Sequence, residues 1–238
     1  MIEDIVRDLK GKVPDEVVHS NFDGGSEHEH KMVLRLRTNP IAIGIPMDEL
    51  MFSKFFENFL GIDYMPWDNI ITTASTYLPS ARNQIHNVFL NKTNASHLFM
   101  MDSDNLPPPR VIETLLSHQK DMIGGWYVKK EKYPLRGPDG QTIIIQRPLV
   151  YDFLKWQKGA PLYSQRTAPG NGLESVDGTG AGCWLMSRKV AEALGESPYS
   201  MAEGAGEDLM ICRKIKDKGF DIWVDWNVRV AHAGVFYV

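Results

Sequence analysis

The sequence predicts an α/β protein with a mostly parallel central sheet and helices on both of its faces. Three observations carry this. From residue 41 onward, short unbroken apolar runs alternate with stretches of helical periodicity, the signature of strand–helix repetition. The runs read as buried strands, which suits a sheet covered on both sides. Finally, 43% apolar and 24% charged residues are ordinary for a globular chain with a sizeable core.

In chain order, residues 1–38 read as an appendage, with a short amphipathic helix (Ile2, Ile5, Val6, Leu9) followed by Asn21-Phe22-Asp23-Gly24-Gly25. Glu27-His28-Glu29-His30 offers metal-ligand types, but its Gly-rich neighbourhood makes a solvated turn the better reading. A single domain then fills 39–238. Its first strand is 41–45, ended by Pro46. Asp48 is suited to cap a helix with Phe52, Phe55, Phe56 and Phe59 on one face, stopped by Gly61. A strand at 70–73 leads to a helix entered at Pro79, with Ile85, Val88 and Phe89 facing inward. His97-Leu98-Phe99-Met100-Met101 is a third strand, stopped by Asp102-Ser103-Asp104-Asn105. A helix burying Ile112, Leu115 and Leu116 and a strand at 122–127 follow. Regularity fails between 129 and 177, read as an acceptor-side insertion with a strand-like 142–145; the stretch 159–182 reads as a mobile loop. Order resumes with a strand at 183–186, helices at 187–194 and 207–218 (stopped by Gly219), and closing strands at 220–224 and 228–230.

A net charge of −4 argues against a protein that coats nucleic acid, though not against a local basic groove. The run 41–47 is far below the ~20 apolar residues of a membrane helix, and charges interrupt the start of the chain as they would not in a signal peptide. A cytoplasmic location without membrane insertion is the expectation. Cys183 and Cys212 form neither a disulfide framework nor a Cys-x-x-Cys zinc pair.

The strongest chemical signal is Asp102-Ser103-Asp104 at the end of a buried strand, since ligands of parallel sheets bind beyond the strands' carboxyl ends. If the backbone stays extended, both carboxylates project into one pocket, where Mg²⁺ or Mn²⁺ would relieve their repulsion. The competing reading is a turn in which Asp102 and Asn105 cap the next helix. Gly206-Glu207-Asp208 opens a helix, so its acids either complement the helix dipole or supply a general base. His232, between small residues at the end of the last strand, is either packed or reaches the shared pocket.

In their order, these pieces resemble the GT-A-fold glycosyltransferases, in particular the large inverting family with many bacterial and phage sugar transferases. The resemblance covers roughly 41–234 and rests on the strand ending at Pro46, Ala81-Arg82-Asn83, Met101-Asp102-Ser103-Asp104, Gly178-Thr179-Gly180-Ala181-Gly182-Cys183, Gly206-Glu207-Asp208 and His232. It implies a Rossmann-like GT-A domain that moves a sugar from a nucleoside diphosphate donor, UDP-linked by preference, to a hydroxyl, with Mn²⁺ or Mg²⁺ as cofactor. Asp104 would be the direct metal ligand, with Asp102 facing the ribose or the metal's water shell and His232 completing the metal site or touching the diphosphate. Arg82 and Ser103 would lie near the nucleotide, and Pro46 would border its base. Gly180, Ala181 and Gly182 would let backbone approach the donor sugar. Asp208 would be the catalytic base with Glu207 beside it, and Trp126 would stack on the acceptor. Thr72, Thr73 and Ser75 stand where the family usually has an acidic residue to hold the base.

Two other readings stand beside this one. A sugar-phosphate nucleotidyltransferase shares the sheet and carboxylates but would open on a Gly-rich basic loop, whereas Pro46-Met47-Asp48-Glu49 is acidic. A non-catalytic carbohydrate-binding protein would explain six tryptophans but not acids at a strand end. The Gly-x-Gly-x-Gly at 178–182 comes too late for a dinucleotide-binding fingerprint. Lys129, Lys130, Lys132 and Arg136, interleaved with Tyr127 and Tyr133, form either a phosphate-tracking patch or a solvated loop. With the similarity to phage transferases that act on hydroxymethylated DNA bases, the patch gives a DNA acceptor as the expectation, and with it the host cytoplasm as the location.

Overall fold

In the computed structural model, residues 37–47, 53–74, 77–129 and 147–233 are described in full, and 17–19, 32–34, 133–136 and 142–145 by backbone alone. The chain divides into two units, Met1–Asn39 and Pro40–Val238. In the first, β1 (Val17–His19) and β2 (Met32–Leu34) pair antiparallel. The helix expected at 2–9 and the histidine-acid run at 27–30 lie outside the described residues, as do Asp48 and Phe52.

The second unit runs β3 (Ala42–Met47), α1 (Ser53–Leu60), β4 (Asn69–Ala74), α2 (Leu78–Lys92), β5 (His97–Met101), β6 (Asn105–Leu106), α3 (Val111–Ser117) and β7 (Met122–Trp126). Then come β8 (Tyr133–Arg136), β9 (Thr142–Ile145), β10 (Val150–Gln157), β11 (Ala160–Gln165), β12 (Leu173–Val176), β13 (Gly178–Thr179) and β14 (Cys183–Ser187). Helices α4 (Arg188–Leu194) and α5 (Glu207–Asp217) and strands β15 (Ile222–Arg229) and β16 (Ala231–His232) complete it.

Seven strands form the central sheet in the order β12-β15-β7-β14-β5-β3-β4. Only β12 and β14 oppose the other strands, so the sheet is mostly parallel in direction. Alternate residues of each strand feed two cores. Leu98 and Met100 join Ile85, Phe89, Val190, Ile211 and Ile215 under α2, α4 and α5. Phe99 and Met101 join Ile43, Phe55, Ile112 and Leu115 under α1 and α3. Gly44 permits α2 to sit close on β3, because a Cβ there would run into Ile85. Two expected core residues face outward: Val88 is 37% and Phe56 50% exposed. The buried side of α2 is instead Pro79, Ala81, Arg82, Ile85, His86 and Phe89, and that of α1 is Phe55.

The stretch expected to be a mobile loop is in large part strand. β10 and β11 form an antiparallel hairpin, with β13 on the other side of β10. Lys158 and Gly159 turn the chain with φ of 50° and 78°, the paired left-handed conformation of a tight hairpin turn. The strand-like 142–145 pairs with β8. Among the described residues no helix is long and apolar enough to cross a membrane.

Candidate functional site

The carboxyl ends of the parallel strands gather the polar residues singled out above. After β5 the chain does not stay extended. Asn105 N–H donates to Asp102 O at 3.0 Å, closing a turn, and Asp102 N–H donates to Gly182 O at 3.0 Å. The turn sends the two aspartates different ways, which corrects the expectation that both project at one cation. Nor do Asp102 and Asn105 cap α3. That duty falls to Asp63, whose carboxylate accepts from the N–H groups of Ile112 (3.1 Å) and Glu113 (2.6 Å). The plain capping explanation of the acidic pair is therefore gone.

Asp102 faces α2. Arg82 Nη2 donates to both of its oxygens, at 2.7 and 2.9 Å, and Arg82 Nη1 donates to Glu207 Oε1 at 2.6 Å. The guanidinium is only 2% exposed. Burial works against this cation, but the carboxylates of Asp102 and Glu207 more than offset it and hold it protonated. Asp102, expected in the metal set, thus has both oxygens engaged by Arg82, and Arg82 itself is a buried link between β5's turn and α5.

Next to Glu207, Asp208 lies half-buried in the first turn of α5, behind the N-cap Gly206. Burial and the neighbouring Glu207 carboxylate push its carboxyl up to about 6, against the pull of Arg82 and of the Leu209 N–H. A carboxyl poised there is deprotonated at neutral pH yet basic enough to take a proton.

Asp104 faces the chain's last described strand. β16 pairs with β6 so that His232 stands opposite Asn105, and Ala233 N–H donates to Asp104 O at 2.7 Å. The contact brings His232 Nε2 to 3.4 Å from Asp104 Oδ1. His232 Nδ1 lies 2.9 Å from the carbonyl of Val128, an acceptor only, so Nδ1 carries a proton and Nε2 is the ring nitrogen turned toward Asp104. A carbonyl behind the ring is the usual support of a metal-ligating histidine. Carboxylate oxygen and imidazole nitrogen facing one another fit a divalent cation completed by phosphate oxygens. Among the described residues no group of three or more His, Cys, Asp or Glu gathers as a metal site.

Sequence reasoning missed what holds this arrangement together. Tyr127 is buried, and its hydroxyl accepts from Gly182 N–H at 2.8 Å while its ring meets His232 edge-on at 5.4 Å. Asn105, also buried, donates from Nδ2 to Gly182 O at 2.8 Å. A Cβ on Gly182 would meet Asp102 Oδ2 at 2.6 Å and Tyr127 Oη at 2.7 Å, and one on Gly180 would run into the Tyr127 ring. The glycines at 180 and 182, with the buried Ala181 between them, make room for Tyr127. The Gly182 N–H and C=O are both taken up by the protein. The signal was present, because Gly-x-Gly implies something bulky pressed against backbone, but sequence does not name the intruder.

Two more corrections follow from burial. Trp126, expected to stack on an acceptor, is 8% exposed in the core and donates Nε1–H to Trp226 O at 2.8 Å. Tyr127 cannot belong to a surface patch with the lysines. Of that patch Lys129 is exposed, Lys130 and Lys132 lie outside the described residues, and Arg136 is described by backbone only. Pro46 is buried at the end of β3 beside Thr73, and Ser103 is half-buried in the turn.

No protein-family model matches the chain, and no curated protein does. Solved structures do. The crystal structure of A197 from STIV matches with a TM-score of 0.55 at 18% identity, over 82% of this chain and 86% of that one. The structure of GalNAc-T7 with UDP, GalNAc and Mn²⁺ matches with a TM-score of 0.51 at 13% identity, over 82% of this chain and 44% of that one. At such identities the likeness is one of fold, and the fold is GT-A.

Proposed function

We propose that this protein transfers a sugar from a nucleoside diphosphate donor to an acceptor hydroxyl, with Asp208 as general base. The observation that carries the reading is Arg82, which fastens the acidic turn after β5 to the helix that opens with Glu207 and Asp208. The GT-A fold, shared with a protein crystallised with UDP, GalNAc and Mn²⁺, supports the same reading.

Asp104 and His232 Nε2 would hold a divalent ion, and a mixed oxygen–nitrogen pair suits Mn²⁺ better than Mg²⁺. Such an ion would supply charge neutralisation for the departing diphosphate. The protein's own residues do the rest. Asp208 accepts the proton of the acceptor hydroxyl as its oxygen bonds to the anomeric carbon, and the bond from that carbon to the phosphate oxygen breaks. Attack opposite the leaving group inverts the stereochemistry. Glu207, tied to Arg82, orients the first turn of α5 and keeps negative charge beside Asp208, so the base stays strong. Asp102, neutralised by Arg82, leaves Asp104 as the turn's outward-facing acid.

The test is a mass-spectrometric screen of UDP-sugars against hydroxyl acceptors, including hydroxymethylated duplex DNA, with Mn²⁺. Release of UDP and a mass gain of one sugar on an acceptor are expected, and Asp208→Asn should abolish both while donor affinity stays within about twofold. Donor binding without turnover would indicate a carbohydrate-binding protein instead, and pyrophosphate release from a nucleoside triphosphate would indicate a nucleotidyltransferase.

A further inference from the structure

A cleft of about 460 Å³ opens between α2 and the segment 197–201. Its walls include Asn83, Gln84 and Asn87 from α2, Ser200 and Met201 from the segment, and Tyr77. None of the residues lining it carries a charge. The volume falls within the range of small-ligand sites.

The wall opposite α2 is held from several sides. Asn83 Nδ2 donates to Tyr199 O and Asn83 Oδ1 accepts from Tyr199 N–H, both at 2.8 Å. Lys214 Nζ donates to Pro198 O and, at 3.0 Å, to Ser200 Oγ. His86 Nε2 donates to Gly195 O at 3.0 Å, just ahead of the segment. Lys214 belongs to α5, the helix that begins with Glu207 and Asp208, and Asn83 follows Arg82. The cleft and the acidic site thus share α2, while α5 braces the far wall through Lys214.

Its chemistry is selective. The lining amides are uncharged and bond within the walls, Asn83 to Tyr199, Asn87 to Ser197 and Gln84 Nε2 to Ser80 Oγ, which leaves the second N–H of each amide and Gln84 Oε1 to pair with a ligand. At the mouth Tyr77 is 57% and Met201 55% exposed, giving an aromatic face and a pliable apolar edge. Vicinal hydroxyls match the first set and the C–H face of a pyranose matches the second. A phosphate would find no cation in the lining, and an acyl chain would leave those remaining amide groups without partners.

We propose that this cleft is a subsite for an uncharged saccharide, the part of an acceptor next to the hydroxyl that is glycosylated. The acceptor role rests on the transferase reading, whereas the saccharide site does not. The test uses lactose, maltose, cellobiose and diacetylchitobiose as probes, followed by saturation-transfer NMR and calorimetry on the full chain without donor or metal. At least one should bind, and Tyr77→Ala and Gln84→Ala should each weaken it by about tenfold, with unchanged melting because both side chains are exposed. Hydrolysis of UDP-sugar without acceptor should be unaffected by either substitution. Binding by none of the probes, or binding indifferent to both substitutions, overturns the proposal. So does a duplex oligonucleotide that binds in their place and is lost in the same variants. Saccharide binding that depends on Tyr77 with no nucleotide-sugar turnover would uphold the cleft and sink the transferase reading; turnover without saccharide binding would do the reverse.

Discussion

Replacing Arg82 with Met keeps bulk and removes the cation that Asp102 and Glu207 share. Three charge-assisted hydrogen bonds, at 2.7, 2.9 and 2.6 Å, disappear from a guanidinium that is 2% exposed. Deleting one partner of a buried ion pair costs about 3–5 kcal/mol, because the remaining charge is left uncompensated. Here the carboxylates keep some water, Asp102 being 22% and Glu207 12% exposed, which places the loss at the lower end, about 3 kcal/mol. For a chain of this size that is roughly 6–12 °C in melting temperature. Urea denaturation with linear extrapolation measures it. Arg82→Lys should recover only part, since an ammonium cannot serve two carboxylates as a planar fork does. Adding Asp102→Asn and Glu207→Gln to Arg82→Met should restore most of the stability by removing the stranded charge. A loss below about 1 kcal/mol for Arg82→Met, or no recovery in the triple variant, would refute the view of Arg82 as the link between turn and helix.

Asp208 binds protons more tightly in the folded chain than its ordinary value near 3.8 would give, so stability falls as pH rises from about 4 through about 6. Asp208→Asn should therefore be more stable than the parent at pH 7, by about 1–3 kcal/mol, and equal to it at pH 3.5. In the parent, kcat should fall below pH 6 as the base takes up a proton; a profile flat to pH 4.5 would exclude Asp208 as base. Asp104→Asn and His232→Gln should each weaken Mn²⁺ binding at least tenfold by calorimetry, with Asp102→Asn doing so far less. Gly182→Ala should cost about 1–3 kcal/mol through overlap with Asp102, Asn105 and Tyr127, seen as a lower urea midpoint.

How much was legible in advance depended on whether the governing interaction was local. Buried strands such as 97–101 announce themselves by an apolar run bounded by polar residues. Helix stops such as Gly219 do so by conformational freedom, with φ of 83°. The hairpin of β10 and β11 was hidden because Leu154 and Trp156, 58% and 52% exposed, blur the inside–outside alternation, and its turn signal is one glycine after a lysine. At the candidate site, residue types and order were readable while orientation was not. Asp102 and Asp104 look equivalent in sequence, and only the turn at 102–105 and the arrival of Arg82 from α2 tell them apart. Trp126 shows the same limit, since an aromatic residue at a strand end gives no hint of which way it faces.

The two-residue ladder between β6 and β16 carries a thermodynamic obligation. Besides the Val128 carbonyl and the Tyr127 ring, His232 is brought to Asp104 by its pairing with Asn105 and the Ala233 bond, so an ion clasped between them and the closing of that ladder would reinforce each other equally. Chelation should then loosen the ladder, and amide exchange at Ala233 would report it. A substitution that frays β16 without touching either ligand should raise the ion's dissociation constant by the factor through which it unfastens the strand.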